Sequence, residues 1–322
     1  MRIVFMGTPL FAVPSLERLI ESSHEVLLAV TQPDRGAGRG RPLRASPVKE
    51  LVAANGIEVL QPERIRDNAE FLRRLAERAP DLIVVVAYGL ILPPSALALP
   101  RLGTINLHAS LLPRYRGAAP VNWAIINGET RTGVTIMQVD EGMDTGPILS
   151  QEEVPILEDD DAPSLSGMLS VVGSHALLAA INGIEVAGKI EGSPQDESQA
   201  SYARMLKKED GRIDWSRGTD ELVRRVRGTA PWPGAFTESE SGPLKILKAE
   251  PLWPEAMEAI EDRGRIPPGT VSLALASHGF AVRTGDGFLL VTQAQPAGGK
   301  ALSGADIVNG RHIKPRDRLG EA

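Results

Sequence analysis

The chain has 322 residues, 42% of them hydrophobic and 24% charged, a composition ordinary for a soluble protein and a length that suggests two domains. It has no cysteine, which excludes disulfides, thiolate metal sites and a cysteine nucleophile. The net charge of −6 argues against a surface made to coat nucleic acid, although the charge is uneven: residues 1–206 carry 18 basic and 25 acidic groups, residues 207–322 carry 17 and 16.

Taken in chain order, Arg2-Ile-Val-Phe-Met6 reads as a buried strand. It runs straight into Gly7-Thr8-Pro9, too short for the apolar core of a signal peptide. Leu10 to Ile20 reads as an amphipathic helix and Val26 to Thr31 as a second strand. Ser46-Pro47 opens a helix through Ala54, serine being a favoured cap and proline a favoured first residue. Glu58 to Leu60 is a third strand, Ala69 to Glu77 a helix, and Asp81 to Val86 a fourth strand. The apolar run from Leu82 to Leu92 is interrupted at Tyr88-Gly89 and stops at Pro93-Pro94, too short to span a bilayer. A fifth strand at Thr104 to His108, a helix starting near Ala118-Ala119-Pro120 and continuing through Ile126, strands at 133–139 and 147–155, and a long helix from Ser164 to Ala187 complete the first half. This alternation, with near-continuous Val/Ile runs, predicts an α/β fold: a Rossmann-like, mostly parallel sheet with helices on both faces.

Gly188 to Ser201 is poor in apolar residues and reads as a linker. Beyond it, a helix is expected at Asp220 to Arg227, a rigid turn at Pro231-Trp-Pro-Gly234, and short strands at 244–249, 270–274, 280–284 and 288–292. Short strands between Gly/Pro turns suggest a small OB-like β-barrel. The expected division is a catalytic domain over residues 1–188, a linker over 189–206 and an OB-like domain over 207–322.

The chemistry centres on the stretch from Gly103 to Asp144. Period-two alternation places Asn106 and His108 on the same strand face, roughly 7 Å apart, at the carboxyl end where open α/β sheets hold their ligands. Asp144, in Asp140-Glu-Gly-Met-Asp144-Thr-Gly146, lies on a turn that could fold back onto His108. A lone buried His or Asn is usually structural. An imidazole, an amide donor and a carboxylate together make a set usable for proton transfer and oxyanion stabilisation. The first strand ends in Gly7-Thr8-Pro9 rather than G-x-G-x-x-G, which disfavours a dinucleotide, and no Walker A, G-x-S-x-G or H-E-x-x-H pattern occurs. Arg35, Arg39, Arg41 and Arg44 surround Gly36-Ala-Gly38 in what reads as a basic finger or, equally, a solvated loop.

These residues carry a resemblance. Asn106-x-His108-x-Ser110-Leu-Leu-Pro113-x-Tyr-Arg116-Gly, with Asp144, resembles the formyltransferase family that uses 10-formyltetrahydrofolate. Phe5-Met-Gly-Thr-Pro9, Thr31-Gln-Pro-Asp34, Ser46-Pro-Val-Lys49, Val86-Ala-Tyr-Gly-Leu90, Gly133-Val-Thr-Ile-Met137 and Pro231-Trp-Pro233 extend it over nearly the whole chain. The arginine loop and the C-terminal domain are similar to the branch that formylates methionine carried on initiator tRNA.

The resemblance implies a soluble cytoplasmic enzyme of translation initiation, acting as a monomer, without a membrane and without a metal. It implies that Asn106 and His108 stabilise the oxyanion formed when the amino group attacks the formyl carbon, while Asp144 holds His108 and helps take the proton. Ser110, Leu111, Leu112 and Pro113 would line the folate site. Arg39 and Arg41 would meet the tRNA, in a finger expected to be disordered until tRNA binds, and the barrel would follow the stem. A formyltransferase for an amino-sugar nucleotide or a purine precursor is the rival enzyme. A folate- or RNA-binding regulator that lost the chemistry is the rival from another class.

Overall fold

The computed structural model of the protein describes residues 1–36, 43–260 and 263–320. The chain packs as two compact units, one of Met1–Pro120, Arg131–Pro155 and Leu165–Arg204, the other of Val121–Thr130, Ile156–Ser164 and Met205–Ala322.

In the first unit the strands are β1 (Arg2–Gly7), β2 (Glu25–Val30), β3 (Arg35–Gly36), β4 (Leu43–Arg44), β5 (Glu58–Leu60), β6 (Leu82–Val86), β7 (Gly103–His108), β8 (Arg131–Gln138) and β9 (Ile148–Pro155). Seven form one sheet in the order β5-β2-β1-β6-β7-β8-β9, parallel from β5 to β7 and antiparallel for β8 and β9. Strand order therefore reverses between β1 and β6, the place where a crevice opens beyond the carboxyl ends of such a sheet. Ile3, Val4, Phe5 and Met6 of β1 are all buried, as a strand covered on both faces requires. The two-residue strands β3 and β4 pair with each other.

The helices along this stretch are α1 (Val13–Ile20), α2 (Pro47–Ala54), α3 (Ala69–Glu77), α4 (Pro94–Leu97), α5 (Pro120–Ile126) and α6 (Ala162–Ala187). Ser46 caps α2 by accepting from the Lys49 amide at 3.2 Å, and Asn68 caps α3 by accepting from the Phe71 amide at 3.0 Å. Helix α6 is long and apolar enough, by length and composition, to cross a membrane. Its Leu165, Leu169, Leu177, Ile181 and Ile184 are buried within the protein at helical spacing. Gly173 lies against Leu107 of β7, where a β-carbon would come within 2.8 Å of the leucine methyls. The helix thus covers the strand that carries the candidate site.

The segment whose composition suggested a linker is packed on the first unit. Ser193 exchanges backbone hydrogen bonds with Ile148, and Arg116 bridges to Tyr202 as a strand pair would. Its polar side chains supply contacts that apolar counting does not register.

The second unit adds β10 (Ala235–Ser239), β11 (Gly242–Pro251), β12 (Val271–Leu275), β13 (Gly279–Arg283), β14 (Phe288–Pro296) and β15 (Leu302–Ser303), with α7 (Thr219–Gly228), α8 (Pro254–Glu258) and α9 (Gly304–Asn309). The sheet is antiparallel throughout, in the order β10-β11-β14-β13-β12 with β15 beside β14, as expected of the OB-like domain. Trp215, Leu222, Val226, Ile246, Phe280 and Val291 are part of its core. Asp286 accepts from the Thr219 amide at 2.8 Å and so caps α7 from a distant turn.

Candidate active site

Strand β7 sets the geometry. It pairs with β8 so that Asn106 stands opposite Met137 and His108 opposite Thr135. Asn106 is half-buried, and its side-chain amide has no hydrogen-bond partner among the described residues. His108 is only 7% exposed. Its Nε2 lies 3.0 Å from the carbonyl oxygen of Tyr115. A carbonyl can only accept, so Nε2 carries a hydrogen there. The other ring nitrogen, Nδ1, faces Oδ2 of Asp144 at 3.7 Å, an ion-pair separation rather than a hydrogen bond.

Asp144 reaches this place from the turn between β8 and β9. Its φ of 56° is left-handed, a region that aspartate tolerates better than most side chains. Asp140 braces the turn, accepting through Oδ1 from the Gly142 amide at 3.0 Å and from the Thr145 hydroxyl at 2.7 Å. The Asp144 carboxylate accepts from the Gly117 amide at 2.8 Å. Gly117 itself has φ 115°, and a β-carbon there would meet the Ala203 carbonyl oxygen at 2.8 Å, so the position requires glycine.

Ser110 to Pro113 form a built turn that packs beside β8. The Ser110 hydroxyl donates to the Arg114 carbonyl at 2.6 Å, and the Ser110 carbonyl accepts from the Thr135 hydroxyl at 2.6 Å. The Leu112 amide donates to Thr135 Oγ1 at 3.1 Å, and its carbonyl accepts from Gln151 Nε2 at 2.9 Å. Leu112 is buried, while Leu111 and Pro113 are half-buried.

Arg116, the arginine of the same motif, is wholly buried. Nη1 and Nη2 donate to the two carboxylate oxygens of Glu197 at 2.9 and 2.7 Å, and Nε and Nη2 donate to Gln195 Oε1 at 3.1 and 2.7 Å. Glu197 raises the guanidinium above its ordinary value, and Arg116 in turn holds the Glu197 carboxyl below the usual range. Composition had hidden Gln195 and Glu197 inside a supposed connector. Thr135 and Gln151 were hidden inside strands.

At the carboxyl ends of β2 and β5, Lys49 Nζ donates to Asp34 Oδ2 at 2.6 Å and to Gln61 Oε1 at 2.7 Å, and Gln61 Nε2 donates to Asp34 Oδ1 at 2.7 Å. Lys49, followed by Gln61, holds the Asp34 carboxyl below its ordinary range. This cluster fixes the foot of the arginine loop. Arg39 and Arg41, and with them the expectation of a finger disordered without tRNA, lie outside the described residues. Among the described residues no group of three or more His, Asp or Glu is placed to hold a metal ion.

Comparison with known proteins supplies the context for this geometry. Residues 1–181 match the formyl transferase family model, and residues 205–312 match that of the formyl transferase C-terminal domain. Methionyl-tRNA formyltransferase of Solibacter usitatus is 45% identical over 323 residues, covering 100% of this chain and 99% of that one. The protein of that name in Geobacter sulfurreducens is 46% identical, covering 100% and 98%. Among solved structures, HypX from Aquifex aeolicus in complex with tetrahydrofolic acid superposes with a TM-score of 0.63 at 20% identity, covering 95% of this chain and 46% of that chain. The N-formyltransferase of Helicobacter canadensis superposes at 0.62 and 19%, covering 90% and 97%. At those identities the two structures speak for the fold alone. With both family models matched in order and relatives this similar end to end, the chain belongs to the formyl transferase family, among the methionyl-tRNA formyltransferases.

Proposed function

We propose that the protein transfers the formyl group of 10-formyltetrahydrofolate to the α-amino group of methionine esterified to initiator tRNA. The amine attacks the planar formyl carbon, a C–N bond forms, and the carbonyl oxygen takes up negative charge. The bond from the formyl carbon to N10 then breaks, and N10 leaves with a proton while the amine loses one.

Charge that appears only along the reaction path is best met by donors already in place. Asn106 offers a side-chain amide without another partner among the described residues. His108 offers Nε2–H, which the neutral Tyr115 carbonyl holds until a charged oxygen competes for it. Asp144 orients the ring from the Nδ1 side and receives the proton of the attacking amine. The observation that carries this assignment is the approach of Asp144 to His108 at 3.7 Å, with Gly117 donating to the same carboxylate oxygen.

Ser110, Leu111, Leu112 and Pro113 form one wall of the folate site; that this turn is also tied to β8 gives the wall rigidity. Arg39 and Arg41 contact the tRNA near its acceptor end. Residues 1–188 act as the catalytic domain, 189–206 as the connection and 207–322 as the tRNA-binding domain, whose nearly balanced charge suits a polyanion better than the acidic first part. Asn106, His108 and Asp144 come from one chain, so a monomer suffices. A cytoplasmic setting fits a chain without cysteine, and the reaction needs neither a membrane nor a metal.

The test is incubation of the purified protein with 10-formyltetrahydrofolate and charged initiator tRNA, scoring formyl-methionine on the tRNA. Elongator methionyl-tRNA, an amino-sugar nucleotide and a purine-precursor amine serve as competing acceptors. Preferred transfer to the initiator is expected. Transfer to a small amine without tRNA, or to no acceptor, overturns the assignment.

A further inference from the structure

We propose that Gln195 is a positioning residue for formyl transfer, fixing the turn that aims the Asp144 carboxylate at His108. The inference rests on the role given to Asp144 above. Gln195 Nε2 donates to the carbonyl oxygens of Asp144 and Gly146, both at 2.8 Å. Its Oε1 accepts two hydrogen bonds from Arg116, at 3.1 and 2.7 Å. Both amide hydrogens and both lone pairs are therefore used. Arg116 only donates and carbonyls only accept, so the amide's orientation is fixed from both ends.

The clasp joins three pieces of backbone. Arg116 belongs to the loop in which the Tyr115 carbonyl holds His108 and the Gly117 amide holds Asp144. Its own backbone donates to the Ser201 carbonyl at 2.8 Å and accepts from the Ala203 amide at 2.7 Å. The third piece is the turn of Asp144. That residue sits in a left-handed conformation, φ 56°, which a side chain holds only where surrounding contacts impose it. By gripping the carbonyls on both sides of Thr145, Gln195 sets two peptide planes and with them the direction of the Asp144 side chain. Every one of its bonds to the turn is to backbone, so its influence on the chemistry passes through Asp144.

Gln195→Glu keeps size and shape and an acceptor for Arg116, but it removes both donors and sets a carboxylate oxygen against two carbonyls. The full chain carrying this change is assayed for formyl transfer with both substrates varied, in the wild-type and the Asp144→Asn backgrounds, with thermal unfolding followed in parallel. In the wild-type background kcat is expected to fall between about tenfold and about a hundredfold, with each KM changed less than about threefold. In the Asp144→Asn background the further loss is expected to be under about twofold, because the two residues act in series. Gln195→Met, of similar length and lacking all four bonds, is expected to behave alike.

Wild-type kcat in both Gln195 variants overturns the proposal, as does an equal loss in the Asp144→Asn background. Failure of both variants to fold would assign Gln195 to the fold alone and overturn it too. If Asp144→Asn is itself as active as wild type, the reading of Asp144 is what fails.

Discussion

Gly117→Ala tests whether the Asp144 carboxylate is held by construction. A methyl group at 117 meets two obstacles. The native φ of 115° is one that side chains rarely adopt, at a cost of roughly 1–3 kcal/mol. The new carbon would also stand 2.8 Å from the Ala203 carbonyl oxygen, well inside the roughly 3.3 Å at which carbon and oxygen normally touch. Neither partner yields easily, because Ala203 accepts from the Ala119 amide at 3.1 Å and donates to the Arg116 carbonyl at 2.7 Å. Relief therefore requires the loop to shift by about half an ångström or more, carrying the Gly117 amide away from the carboxylate it serves. With Asp144 in the proposed role, a displacement of that order is expected to cost between about tenfold and about a hundredfold in rate. The assay is single-turnover formyl transfer with chemical denaturation alongside, and Gly188→Ala is the control. Gly188 has φ 68° with nothing within 4 Å of its virtual β-carbon, so alanine there costs about 1 kcal/mol of stability and leaves the rate alone. Equal stability losses with wild-type turnover in both variants would refute the reasoning.

Asn106→Ala and His108→Ala are each expected to lower turnover on the order of a hundredfold or more with the fold intact, read by steady-state kinetics and circular dichroism. Affinity for charged tRNA should fall on the order of tenfold or more between about 50 and about 200 mM salt, measured by filter binding; a flat response would contradict a phosphate-based interface. Asp286 tests the second unit. The Thr219 amide, then the Thr219 and Thr284 hydroxyls, hold its carboxyl below the ordinary value of 3.8, so its contribution is present above about pH 3.8 and lost as pH falls through the lower folded value. Asp286→Ala should destabilise the C-terminal unit by about 1 kcal/mol at neutral pH and flatten its acid-side decline in denaturation curves.

The strand that carries the candidate site was legible because strands have a fixed period: Asn106 and His108 share a face for the reason that two residues make one repeat. Ser46 and Pro47 announced α2 because the first turn of a helix leaves amides that a serine can satisfy. The contacts made by residues 188–201, which read as a linker, were not legible for an equally physical reason. Few apolar residues mean little core, but they do not mean few contacts, and Gln195, Glu197 and Ser201 attach by hydrogen bonds that no periodicity encodes. The assignment of 121–130 and 156–164 to the second unit was likewise invisible, since both lie within sequence that reads as the first. Helix α4 is a single turn, and β3 and β4 are two residues each, too short for a pattern to emerge.

The pairing of Arg35 with Arg44 and of Gly36 with Leu43 has an implication for how this protein can be altered. That pairing already brings together the two ends between which residues 37–42 run. The entropy of closing a loop grows only with the logarithm of its length, so doubling the insert would cost about 0.6 kcal/mol. Under the proposed contact of Arg39 and Arg41 with tRNA, recharging that insert is expected to shift acceptor preference, read by formyl transfer to initiator against elongator methionyl-tRNA.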